Sequence, residues 1–235
     1  MMKKILAAAV ALAVLLTVVT VASADHSWNG YHWPSDNLSP TVRDKTSSTL
    51  WESPNADVGE AVTEWAFLED GSTPRSDIQP TLTDAKKGNI TVSEQTSQFW
   101  LGLARIFLED GHITKGEVKL NTTYLAYYEA NGYPGLADHV LCQEIGHVLG
   151  LGHNRDETGS DADNIPETCM NDQEFVGDDL TSPNDHDTYQ LNLIYGHTDA
   201  SGSSDDDGGG GGGCKGGPKR CGQGVWITVD IFPLP

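Results

Sequence analysis

Val58, Ala61, Val62 and Trp65 stand three and four residues apart, the spacing of one helix face, and predict a helix over about 54–69. Ser53 would cap that helix and Pro54 would fill its first position, where an N–H has no partner to lose. Shorter apolar runs follow. Ile90-Thr91-Val92 is strand-like, and Phe99 to Leu108 predicts a longer buried strand with a bend at Gly102. Asp110-Gly111 is a turn signal, after which Ile113 to Leu120 alternates around Gly116. Val140, Leu141, Ile145, Val148 and Leu149 restore the helical period over about 137–149, and Gly150 and Gly152 end it. Tyr189, Leu191, Ile194 and Tyr195 predict a last helix over about 183–195. The stretch 25–50 mixes Trp28, Tyr31, His32 and Trp33 with prolines and predicts extended chain with at most a short strand. Together these elements predict an α/β (α+β) fold, a mixed sheet of three to five strands with helices on one side.

Both ends depart from this pattern. Lys3 and Lys4, the apolar run from Ile5 to Val21 and the Ala22-Ser23-Ala24 site predict a secretory leader over 1–24, hence a secreted, extracellular protein. No other apolar run is long enough to span a bilayer, so no membrane association is expected after cleavage. The predicted globular domain covers 25–198. A Ser/Asp/Gly-rich linker follows over 199–213, then a small Cys-loop and one β-strand over 214–235, too small to fold alone. Lys+Arg number 14 against 34 Asp+Glu, a net charge of −20, which excludes nucleic-acid binding through a basic face. Cys142, Cys169, Cys214 and Cys221 form an even set in an exported chain and read as disulfides. Three pairings are open, and the grouping favours Cys142–Cys169 with Cys214–Cys221.

The chemistry concentrates in one stretch, Cys142-Gln-Glu-Ile-Gly-His-Val-Leu-Gly-Leu-Gly-His153. Residues 143 and 147 lie four apart, on one helix face. Gly150 would end the helix and let His153 return toward His147, giving a three-ligand metal site with one open position. His139 precedes His147 by about 12 Å along a helix axis and cannot share its ion. It is expected to hydrogen-bond behind the ligands or to pack at the helix start. His26, His32, His112, His186 and His197 lack ligand partners at suitable spacing and are read as surface or packing residues.

Set against the zinc signature H-E-x-x-H-x-x-G-x-x-H, the residues Glu144, His147, Gly150 and His153 fall in register, and Gln143 replaces the first His. Met170 follows His153 and the acidic-started segment LTSPNDHDTYQLNLIYG closes the domain. In these features the chain resembles the matrixin-type metzincin zinc proteases. The resemblance implies a twisted sheet above a cleft, an active-site helix, a Met-containing turn and a C-terminal helix. It implies Zn2+ held by Gln143, His147 and His153, with Glu144 as general base and Met170 as structural floor. A water-completed two-His site is the alternative to Gln143 ligation. It implies a monomer hydrolysing peptide bonds in protein or peptide substrates, which would add as a strand along 113–121 at the cleft edge. Ca2+ in acidic loops is implied as well, with a solvated acidic surface as the default reading of Asp156-Glu157, Asp161, Asp163, Asp178-Asp179 and Asp205 to Asp207. The rival function is a catalytically inactive metal-binding or structural module that keeps the metzincin fold.

Overall fold

The structure, a computed structural model, describes residues 26–52, 56–154, 168–171, 180–197 and 225–231. The expected leader, the linker, the Cys214 and Cys221 loop and the acidic stretches at 156–163, 178–179 and 205–207 lie outside the described residues. Six strands form one mixed sheet: β1 (Thr41–Asp44), β2 (Thr81–Leu82), β3 (Ile90–Glu94), β4 (Gly102–Glu109), β5 (His112–Leu120) and β6 (Val225–Ile231). Their spatial order is β2-β1-β3-β5-β4-β6. β1, β2, β3 and β5 run parallel, and β4 is antiparallel to both of its neighbours.

The β4–β5 hairpin turns at Asp110 and Gly111, whose φ values of 50° and 86° are the pair a type I′ turn requires. Alternation on β4 sends Ala104, Ile106 and Leu108 inward, where they join Val118 and Leu120 of β5. β4 begins at Gly102 rather than Phe99, and Phe99 is 75% exposed. The expected bend is therefore a strand start.

Among the described residues, four α-helices accompany the sheet: α1 (Val58–Ala66), α2 (Thr122–Ala130), α3 (Leu136–Val148) and α4 (Asp185–Tyr195). α1 starts at Val58, the first residue of its apolar period, and Ser53 and Pro54, from which an earlier start is expected, lie outside the described residues. Asp57 caps it by accepting from the Glu60 N–H. α2 has no counterpart in the periodicity, because its apolar and polar residues are spread around the helix and only Leu125 is buried. α3 packs on β4 and β5, and α1 and α2 pack on α3. This helix is buried along nearly its whole length.

The cleft-edge expectation changes. The strand expected at the cleft edge, 113–121, is interior: β5 is paired with β3 on one side and β4 on the other. The outer flank of β4 is covered in turn by β6, whose residues 225–231 pair antiparallel with Leu108 through Gly102. The tail strand thus completes the domain's own sheet, with Trp226 tilted against Phe107 at 5.2 Å and under the Arg105 guanidinium at 4.8 Å. Among the described residues, no helix is long and apolar enough to cross a membrane.

Candidate metal centre

α3 ends in a glycine-dependent cap. Gly150 adopts φ 104°, its N–H donates to His147 O, and the Leu151 N–H donates to Gly146 O. This is the Schellman arrangement, and it turns the chain back under the helix. Other α3 carbonyls are satisfied by side chains: Trp33 Nε1 donates to Val148 O at 2.9 Å and Tyr195 Oη to Leu149 O at 2.6 Å. After the turn, Leu151 bridges to Ser27, and Trp28 N donates to Gly150 O. Trp28 consequently stands edge-on to the His147 ring at 5.9 Å.

The reversal places His153 over His147, ring centroids 4.7 Å apart and 21° from parallel. His147 is buried, and its Nδ1 lies 2.8 Å from Leu151 O. A carbonyl oxygen only accepts, so Nδ1 carries the proton and the neutral ring presents the Nε2 lone pair. Gln143 stands one turn earlier on α3, fully buried. Its Nε2 donates to Asn171 O at 3.1 Å, which fixes the amide orientation. Its Oε1 is a buried acceptor with no hydrogen-bond partner among the described residues. Such an atom is costly unless something binds it.

Glu144 is equally buried and sits where α3 meets the sheet. A Cβ at Gly102 would overlap Glu144 Oε1 and Val140, so only glycine at the start of β4 lets this carboxylate approach. Met170 lies on the other flank, beside Gly146, where a Cβ would overlap both its sulfur and the Trp65 ring. A Cys142–Cys169 disulfide ties the Met170 turn to α3, the pairing expected from sequence. His139 packs at the helix start with Nδ1 2.6 Å from Leu180 O, away from the His147 pair.

The donor set fits zinc: two imidazoles, one with its tautomer fixed, and one buried carboxamide oxygen without a hydrogen bond among the described residues. The neighbourhood is acidic as well. Burial, then the nearby Glu64, Glu60 and Glu129 carboxylates, pushes Asp138 on α3 up to about 7. Burial, then Glu60, pushes Glu64 on α1 to about 7 against the opposing pull of Arg75.

A second cluster escaped the sequence reading. His26 stacks on His186 with centroids 4.8 Å apart, and His26 Nε2 lies 3.7 Å from Asp187 Oδ1. Spacing along the chain gives no signal for it, because one member is near the start of the domain and two open its last helix. Compared with known proteins, the chain matches no family model, and no curated protein is detectably similar to it.

Proposed function

We propose that the chain is a secreted zinc-dependent endopeptidase of the matrixin type. The observation that carries this reading is the face-to-face approach of His147 and His153, with Leu151 O fixing the His147 tautomer. Gln143 Oε1, His147 Nε2 and the His153 imidazole would hold the ion. When bound, zinc supplies Lewis acidity, lowering the pKa of a water and polarising the scissile carbonyl.

The chain's own residues do the rest. The Glu144 carboxylate takes a proton from the attacking water and returns it to the leaving amine as the C–N bond breaks. Its burial between α3 and Gly102 keeps competing solvent away. Asn171 O holds the Gln143 amide so that the oxygen, not the nitrogen, is available. The strand bordering Glu144 is β4, so an extended substrate would pair with the β4 flank in place of β6. The rival reading is an inactive module, favoured by Gln143 where the motif has His. Glu144 argues against it, because a buried carboxylate is costly and ion binding alone has no use for it.

The test measures bound zinc and chelator-sensitive cleavage of a generic protein substrate, for 25–235 and for a form ending at 198. Wild type and Glu144→Ala are run side by side. Zinc on both with cleavage only by wild type is the expected result. Zinc without cleavage by either wild-type form establishes the rival, and folded protein without zinc overturns the protease reading and leaves only a structural module.

A further inference from the structure

We propose that His26, His186 and Asp187 form a second divalent-metal site, taking Zn2+ through two imidazole nitrogens and one carboxylate oxygen. One ligand atom from each of these residues lies within 4.8 Å of the other two. A tetrahedral zinc with bonds of about 2.0–2.2 Å needs its ligands roughly 3.3 Å apart. The 3.7 Å between His26 Nε2 and Asp187 Oδ1 is already near that separation. Side-chain adjustment of up to about 1.5 Å closes the rest.

The polar atoms are prepared for an ion. Asp187 is fully buried; its Oδ2 accepts from Thr168 Oγ1 and from the Asn184 N–H at 2.9 Å. Its Oδ1 has no hydrogen-bond partner among the described residues, and neither does the buried His186 Nδ1. Burial pushes the Asp187 carboxyl above its usual range despite the bonds from Thr168 and Asn184 and the nearby Arg75 charge. His26 Nδ1 lies 3.3 Å from Gly152 O, which only accepts, so Nδ1 carries the proton and Nε2 is the ligand atom. Two nitrogens and one oxygen suit a borderline-soft ion better than Ca2+ or Mg2+. His186 also lines an open cavity of about 810 Å3 with Asp185, Asn184 and Arg75.

The site would act as a clamp. It joins the 26–28 segment to α4, and through Thr168 to the turn that carries Cys169 and Met170. Trp28, two residues from His26, is the residue packed against His147. A second ion would thus hold one wall of the first centre. The Arg75 guanidinium opposes a further cation, so this site should bind zinc more weakly than the first.

Equilibrium dialysis of the mature 25–235 chain at fixed free Zn2+ tests the proposal, with metal counted by mass spectrometry. Two zinc ions per chain are expected for wild type and one for His153→Ala. His153→Ala with His186→Ala should bind none, and adding Asp187→Asn to His153→Ala should have the same effect. A His153→Ala chain that binds no zinc, or keeps it after His186 is replaced, overturns the second site. A wild-type chain that loses no zinc on His153→Ala but one ion on His186→Ala sinks the first centre alone. Anomalous scattering at the zinc edge from wild-type crystals guards against misfolded variants. A peak between His26, His186 and Asp187 supports the site, and a peak at His147 with none there overturns it.

Discussion

Gly150 fixes the direction in which the chain leaves α3, and the candidate centre depends on that direction. A side chain there would meet both a left-handed backbone and the Tyr31 carbonyl oxygen. Gly150→Ala should cost about 2 kcal/mol and lower the melting temperature by roughly 4–8 °C. It should also loosen zinc, because Leu151 O would shift away from His147 Nδ1. Gln143 makes the opposite case. Its carboxamide oxygen is a weaker zinc ligand than imidazole, so Gln143→His should lower the free-zinc concentration for half-saturation. A chelator titration of the two proteins reads this directly; equal affinity would mean that residue 143 does not ligate. The first centre was legible in sequence because its members lie within eleven positions and helical geometry converts spacing into proximity. The group of His26, His186 and Asp187 was not legible, since only the folded chain brings its ends together.

Elements were legible where local chemistry and tertiary packing agree. The Asp110-Gly111 hairpin and the Gly150 end of α3 are both set by residues that tolerate positive φ. α2 was missed because its weak pattern follows a strand end, where Asn121 is spent on Ser97 O and Trp100 O rather than on capping. The start of β4 was misplaced because an apolar run does not reveal which of its residues the sheet will cover. The Cys142–Cys169 bridge closes a separation of 27 residues, for which loop closure gives about 3.5 kcal/mol. Reducing it, or replacing both cysteines with alanine, should lower stability by 2–4 kcal/mol on the order-of-magnitude scale for such bridges. Chemical denaturation with and without reductant measures this. An unchanged midpoint would show that the Met170 turn is held by Trp65 and α3 packing alone.

At the scale of the whole molecule, acidity has a measurable cost. Glu64 and Asp138 have folded pKa values of about 7, above those of an unfolded chain, so the folded state binds more protons between about pH 4 and 7. Stability should therefore fall as pH rises through that window, with the full penalty above pH 7. After solvent screening we expect about 1 kcal/mol from each half-buried carboxyl. Thermal melts from pH 5 to 8 should show a declining midpoint, and Glu64→Gln with Asp138→Asn should flatten it. A midpoint that rises with pH in wild type would refute the assignment. The −20 net charge acts in the same direction and weakens with added salt.

The pairing of β6 with β4 has a kinetic consequence for the proposed protease. A tethered strand is present at its own docking place at a local concentration on the order of millimolar. Any free peptide seeking the same flank competes against that concentration, whatever its own affinity. Ending the chain at 198 should lower KM and leave kcat unchanged, and a synthetic 225–231 peptide should restore the higher KM only near millimolar levels. A single cut anywhere between 199 and 224 turns the tethered competitor into a diluted one. Nothing in dilute solution would put it back, so the molecule carries a one-way record of having been cleaved.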